Sequence, residues 1–339
     1  MVVRLLDMAR SVVREVMARR RVGTAVRLLL LCTPVALAVV HLVSYAERGL
    51  RHRSTAYLCI SLPANAALRE SVSQSLMPAL SRHSLTFVNA VNASEQDGTV
   101  GVLHAKLAQL PPLCDPALSY EARRQLTPEY FAVLGCSLSH LKAIRVAWLR
   151  RVEWALIVED DVVPDLVPFW ASKDLHAFVR ALPLGWSVAQ LSLVGDGRMW
   201  RELVREWEMR GHPQVVPSTS FWSTGAYLVS RAAMTAIMER YSMPDGTFSL
   251  AGLPCINADV HLLKDTIPNG TYFVATPPQF TCAEVSPSSI SNDFERRKLH
   301  RLSRQVSLDW SASAHRVSRA HASLGAPQNF SDMLLSAWR

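Results

Sequence analysis

The sequence predicts an α/β fold: a sheet of short buried strands with helices on both faces. Three observations carry this. Short apolar runs recur at Thr55–Leu62, Ser84–Val91, Ala155–Val158, Trp186–Val194, Phe221–Ser230 and Thr271–Thr276, each bounded by Pro, Gly or polar residues. Stretches of helical spacing separate them, at Ala64–Leu80, up to Arg151, at Val167–Leu182 and at Arg231–Tyr241. The runs are apolar nearly throughout, as in parallel strands covered on both sides, and the first two form a β-α-β opening.

Composition bounds the rest. The chain has 339 residues, a net charge of +8 and 49% hydrophobic residues, which suits one large domain or two fused halves plus an appendage. Much of the positive charge lies at the amino terminus. Arg4, Arg10, Arg14, Arg19, Arg20, Arg21 and Arg27 stand there against Asp7 and Glu15. No basic stretch is interleaved with aromatics in a recognisable motif, so no nucleic-acid partner is expected. Leu28–Ala46 carries no full charge and is long enough to cross a bilayer. Positive charge is heavier before it than after it, which puts the amino terminus in the cytoplasm and the remainder in the lumen. The expected organisation is a cytoplasmic basic tail (1–27), a signal anchor (28–46), a stem (47–54), the α/β domain (55–285) and a polar, basic extension (286–339). That describes a single-pass type II protein of the Golgi or endoplasmic reticulum membrane. A cleaved signal peptide, a mitochondrial presequence and a buried core helix are the competing readings of the amino terminus.

Glycosylation sequons at Asn92, Asn269 and Asn329 agree with a lumenal domain. Beyond the span stand Cys59, Cys114, Cys136, Cys255 and Cys282, an odd number with no zinc-type spacing. Cys59 and Cys136 read as buried small hydrophobes. Cys114, Cys255 and Cys282 are the disulfide candidates, with no pair assigned.

Along the domain, Ser137 or Ser139 is the expected cap of a helix running to Arg151, with His140 in its first turn. Glu202–Arg210 reads as a polar helix or lid. Trp200 and Trp207, in that polar segment, are candidate acceptor contacts. Phe221 and Trp222 are expected in the core, with stacking on a sugar as the alternative. Asp259 and His261 open an apolar helix at Ile256–Lys264, and Asp293–Leu302 reads as a solvated helix.

The chemistry centres on Ala155–Val163, where an apolar run ends in Glu159, Asp160 and Asp161. Ligands of parallel α/β sheets bind where strands end. Alternation along an extended chain puts Glu159 and Asp161 on one side and Asp160 on the other. Paired carboxylates suit a hard divalent cation that also holds phosphate oxygens. The competing reading is a solvated acidic turn.

The order of these blocks resembles glycosyltransferase family 25, which includes lipooligosaccharide galactosyltransferases and the collagen galactosyltransferase domain. The resemblance rests on Ala56–Leu80, on Gly135-Cys136-Ser137-Leu138-Ser139-His140, on Ala155–Val163 and on Thr224-Gly225-Ala226-Tyr227-Leu228-Val229-Ser230, with Asp259 following. It covers roughly Thr55–Phe280. The arginine-rich stretch usual after the first strand of that family is thinned here to Pro63–Arg69. The resemblance implies a GT-A-like fold, Rossmann-like in its nucleotide-sugar-binding sheet. It also implies a nucleotide-sugar donor, often UDP-galactose, with Mn²⁺ or Mg²⁺, and a glycan or glycoprotein acceptor.

In that frame Glu159 and Asp161 are the metal or metal-water ligands, with His261 a further candidate. Asp160 is placed on the ribose or a ligand water, and His140 on the donor or acceptor. Gly225 lets the backbone approach the sugar. Asp259, ahead of Asp196, is the base that takes the acceptor proton in an inverting transfer. Helix capping competes for Asp259, packing or capping for His140, and a tight turn for Gly225. Two other functions fit the same residues: a lumenal metal-dependent phosphoesterase and a non-catalytic lumenal binding protein.

Overall fold

The computed structural model describes residues 55–77, 80, 84–93, 110–114, 125–169, 174–218, 221–258, 263–268, 270–282 and 294–321. The chain divides into two units, 1–54 and 55–339. The expected anchor, Leu28–Ala46, lies outside the described residues. Among those described, no helix is long and apolar enough to cross a membrane.

The second unit is a mixed α/β structure around a seven-stranded sheet. The strands are β1 (Thr55–Ser61), β2 (Thr86–Asn89), β3 (Trp154–Glu159), β5 (Val188–Gln190), β6 (Val215–Pro217), β7 (Ala226–Ser230) and β8 (Tyr272–Ala275), ordered β2-β1-β3-β7-β5-β8-β6. A short ribbon pairs β4 (Val162–Val163) with β9 (Thr281–Cys282). The helices are α1 (Ala66–Leu76), α2 (Pro128–Leu149), α3 (Leu175–Arg180), α4 (Gly197–Met209), α5 (Arg231–Tyr241) and α6 (Phe294–His321).

β1 pairs in parallel with β2 and β3, and β5 with β8, but β7 and β6 run antiparallel to their neighbours. The sheet is therefore mixed where the apolar runs suggest a parallel one. A strand buried on both faces is apolar whichever way its neighbour runs, so composition does not report direction.

Alternation within the buried strands sorts two cores. Ala56, Leu58, Ile60, Ala155 and Ile157 face α2, α4, α5 and α6. Tyr57, Cys59, Trp154, Leu156 and Val158 face α1 and α3. The carboxyl ends of β1, β2, β3, β5 and β8 and the amino ends of β6 and β7 thus gather on one edge.

Helix α2 starts ten residues before the serines expected to cap it. Thr127 is the cap, its hydroxyl accepting from the Tyr130 amide at 3.2 Å, and Pro128 takes the first helical position. Gly135 lies inside the helix because a neighbour requires it. A Cβ there would stand 2.6 Å from the Val91 carbonyl oxygen. One turn on, Ser139 accepts from the Val91 amide at 2.8 Å and donates to the Gly135 carbonyl at 2.6 Å. These two residues seat the end of the β2 segment against the helix. Gly135→Ala is expected to lower stability by about 1–3 kcal/mol, because backbone rather than a flexible side chain must move. Urea denaturation measures this, and an unchanged midpoint would mean the contact yields freely.

Two further expectations are corrected. Val167–Leu182 is a 3₁₀ turn at Val167–Phe169 and, farther on, the short α3. Trp200 and Trp207 are buried, so the polar stretch around them is the outer face of α4 and they are no acceptor contacts. The stretch expected to be solvated, ending at Leu302, is exposed or half-buried from Arg297 on, but the helix continues: farther along α6, Val306 and Trp310 are fully buried in the main core, with Trp310 edge-on to Trp200 and Trp207. Its buried serines, Ser303, Ser307 and Ser311, gave α6 a polar appearance that hid this face.

Candidate functional site

Three elements meet at the gathered edge: the middle of α2, the end of β3 and the start of β7. The register Val158↔Ala226 sets Gly225 beside Glu159, whose amide donates to the Gly225 carbonyl at 2.8 Å. Glu159 keeps the parity of Ile157 and turns toward α2. There His140, completely buried, has Nε2 at 3.3 Å from Glu159 Oε1 and Nδ1 at 3.0 Å from the Tyr227 hydroxyl. The tautomer with the proton on Nε2 satisfies both contacts: Tyr227 donates to Nδ1, and Nε2–H donates to Glu159. Thr224 donates to the same Oε1 at 2.7 Å. Burial pushes the Glu159 carboxyl up, but the hydrogen bonds from His140 and Thr224 pull the other way, and Glu159 sits below its ordinary range.

His140 therefore stands in the middle of α2 and not in its first turn, and both its nitrogens are engaged inside the protein. It orients Glu159. Cys136, one turn before it, is half-buried rather than a core residue, and its Sγ joins His140 and Glu159 in a group whose ligand atoms lie within 4.8 Å of one another. Sulfur, nitrogen and oxygen donors of that kind suit a softer cation than paired carboxylates do.

The strand ends at Glu159, so the expected alternation stops there. Asp160 and Asp161 form a turn before β4. Asp160 Oδ2 accepts from Ser61 Oγ at 2.6 Å and from Asn65 Nδ2 at 3.3 Å, which ties it to the end of β1. Asp161 is different: its Oδ1 is buried and, among the described residues, has no hydrogen-bond partner. Burial pushes its carboxyl up to about 7, and the charges of Glu159 and Asp160 add to the rise. Burial and the Asp161 charge together push the Cys282 thiol well above its ordinary value.

Arg69, on α1, closes the same edge. It donates at 2.8 Å to the Ser61 carbonyl and to Asn89 Oδ1, and its guanidinium lies over the Phe87 ring. Its Nε is buried and has no partner among the described residues. Lys142 donates to the Asn89 carbonyl at 2.9 Å. Nothing in the sequence set Thr224, Cys136 or Lys142 apart as site residues. Their only signal was membership of the two motif blocks or closeness to one.

Gly225 is close-packed against its own chain. A Cβ there would meet Ser223 Oγ at 3.1 Å, with Cys282 Sγ and Val162 Cγ2 both at 3.3 Å, so the glycine admits β4 and β9 rather than a sugar. Asp196 caps α4, with Oδ1 accepting from the Arg198 and Met199 amides at 2.8 and 2.9 Å. Asp259 and His261 lie outside the described residues. Cys114 and Cys255 form a disulfide, and the thiols of Cys59, Cys136 and Cys282 take no part in it.

Neither a family model nor a curated protein matches the sequence. Among solved structures that resemble it is a glycosyltransferase involved in the glycosylation of the major capsid of PBCV-1. That likeness has a TM-score of 0.35 and 13% identity over 73% of this chain and 98% of the other. At that score it carries no argument for fold or activity, so a function has to come from the site.

Proposed function

We propose that this chain is a metal-dependent glycosyltransferase. It moves a hexose, galactose by preference, from a nucleotide sugar to a hydroxyl of a glycan or protein, with inversion. The observation that carries this is Asp161: a buried carboxylate oxygen with no hydrogen-bond partner among the described residues, next to two more acids, at the edge where α/β sheets bind ligands.

An uncompensated buried carboxylate is costly, and a hard divalent cation removes that cost. Asp161 and Glu159 fit Mn²⁺ or Mg²⁺ as oxygen ligands, with Asp160 beside them. Bound there, the ion supplies positive charge to the departing diphosphate, worth several kcal/mol in the transition state. Ser61 and Asn65 hold Asp160, while His140 and Thr224 hold Glu159, so two of the acids are set before any ligand arrives. Arg69 adds a cation at the ends of β1 and β2, where the nucleotide would lie. Asp259 takes the acceptor proton and His261 completes the metal ligands; both assignments rest on the sequence. Asp196 is the second candidate base, and its cap bonds to α4 favour Asp259 over it.

The proposal includes the anchor at 28–46, the stem at 47–54, the transferase domain at 55–285, its extension at 286–339, and a lumenal setting in the Golgi or endoplasmic reticulum. The Arg-rich leader and the Cys114–Cys255 bond, which belongs in an oxidising compartment, support that setting.

Incubating the purified protein with UDP-galactose, UDP-glucose and other nucleotide sugars, with and without Mn²⁺, should show slow metal-dependent release of nucleotide from one donor. No cleavage of any donor, together with no nucleotide binding by calorimetry, would sink the reading. A non-catalytic binding protein would then stand in front.

A further inference from the structure

Residues Phe221–Gly225, leading into β7, are held with unusual completeness. Phe221 is buried edge-on against Trp200, their centroids 4.9 Å apart, under Gly195, where a Cβ would come within 2.9 Å of its ring. The Phe221 carbonyl accepts from Lys264 Nζ at 2.6 Å. Trp222 exchanges both backbone bonds with Val194, at 2.9 and 3.0 Å. Gln190, fully buried, donates from Nε2 to the carbonyls of Trp222 and Ser223, each at 2.7 Å, and its Oε1 accepts from the Tyr272 hydroxyl at 3.2 Å. Ser223 has φ of 106°, a left-handed conformation that costs a residue with a Cβ about 1–3 kcal/mol. Its Oγ accepts from the Gly225 amide at 3.0 Å.

That strain and those bonds fix the backbone beneath one large side chain that the protein covers only in part. Trp222 is 40% exposed, and among the described residues its indole has no ring or side-chain hydrogen-bond partner. Two residues on, Thr224 bonds Glu159. The rigid segment thus carries a part-exposed indole two residues along the chain from the threonine that holds Glu159.

We propose that Trp222 is the acceptor platform of this site, an indole that stacks on the apolar face of a pyranose. This rests on the transferase reading and makes the acceptor a glycan rather than a bare protein hydroxyl. The chemistry favours a sugar over an apolar peptide. A peptide anchor needs a contiguous apolar pocket, but Phe221 before Trp222 is buried, Ser223 after it is polar, and its bridge partner Val194 leads to exposed Asp196. One flat aromatic face with a polar rim matches a ring that has a C–H face and hydroxyl edges. A backbone fixed beforehand also spares the ordering cost of binding.

The test uses the full chain. Methyl glucosides, galactosides and mannosides, and the disaccharides built from them, are titrated against the wild type, Trp222→Phe and Trp222→Ala, with nuclear magnetic resonance of the ligand as readout. One sugar is expected to bind the wild type saturably. Trp222→Ala should weaken it about tenfold or more, the equivalent of 1.4 kcal/mol, while Trp222→Phe restores most of the affinity. Trp222→Phe should melt close to the wild type, whereas Trp222→Ala should melt lower because more than half of the indole is covered, so the alanine result counts only under conditions where that variant is fully folded. No binding of any pyranoside by the wild type overturns the proposal, as does equal binding by Trp222→Ala. Donor binding by calorimetry separates the two readings. Sugar binding that depends on Trp222, in a protein that binds no nucleotide, removes the transferase and keeps the platform.

Discussion

Asp161→Asn is expected to make the metal-free protein more stable at neutral pH while lowering metal-dependent donor cleavage by about 100-fold or more. Both effects have one source. The Asp161 carboxyl titrates near 7 in the fold, because burial and then the Glu159 and Asp160 charges oppose its ionisation, whereas in the unfolded chain it titrates near 3.8. Between those values the unfolded chain holds fewer protons than the fold, so stability falls as pH rises from about 4 to about 7 and is level above that. The full interval is worth at most about 4 kcal/mol at 1.36 kcal/mol per unit. Asparagine keeps the shape and removes the charge, so the variant should lack this slope. Glu159, held below its ordinary range, contributes in the opposite sense and only at lower pH. Urea denaturation in EDTA from pH 4.5 to 8 reads the difference between wild type and variant. Mn²⁺ should flatten the wild-type slope and leave the variant unchanged. Equal slopes without metal would show that the Asp161 oxygen is solvated in solution, and the main argument for a cation site would go with it.

The parts of this structure legible in the sequence are those set by local pattern. Ala155–Val158 had to be a buried strand, and the acids after it had to reach the edge of the sheet. Ala66–Leu76 and Arg231–Tyr241 follow from helical spacing. What was not legible depends on a partner distant in sequence. Gly135 reads as a helix breaker until the Val91 carbonyl is placed against it. His140 reads as a ligand contact until Tyr227 and Glu159 are found on its two nitrogens. The alternation expected of Glu159, Asp160 and Asp161 gives no guide here, because it holds only while the chain stays extended, and the chain turns after Glu159. Trp200 and Trp207 looked exposed because α6, which covers them, lies about a hundred residues farther along and is itself rich in serine and arginine. The motif blocks were recognisable as units, whereas the division of labour inside them was not.

The disulfide is where long-range closure has its largest energetic consequence. Cys114 and Cys255 are 141 residues apart in sequence, so their bond closes most of the domain into one loop. Chain entropy gives a bridge of that span about 5 kcal/mol, a sum comparable to the whole stability of many domains. The bond also fastens a particular junction. Leu113 forms a parallel bridge with Ile256, the Ile256 amide donates to the Pro112 carbonyl at 2.7 Å, and Tyr130 on α2 donates to the Pro111 carbonyl at 2.9 Å. The segment so fixed leads directly to Asp259 and His261. The double variant Cys114→Ser, Cys255→Ser should therefore lose about 3–5 kcal/mol in urea denaturation, and dithiothreitol should reproduce the loss in the wild type. Hydrogen exchange at the Ile256 amide should accelerate by more than the global loss explains, because that bond depends on the bridge locally as well. A loss under about 1 kcal/mol would mean that the Pro111–Leu113 contacts hold the junction unaided, since the entropic gain is then already present in the reduced chain.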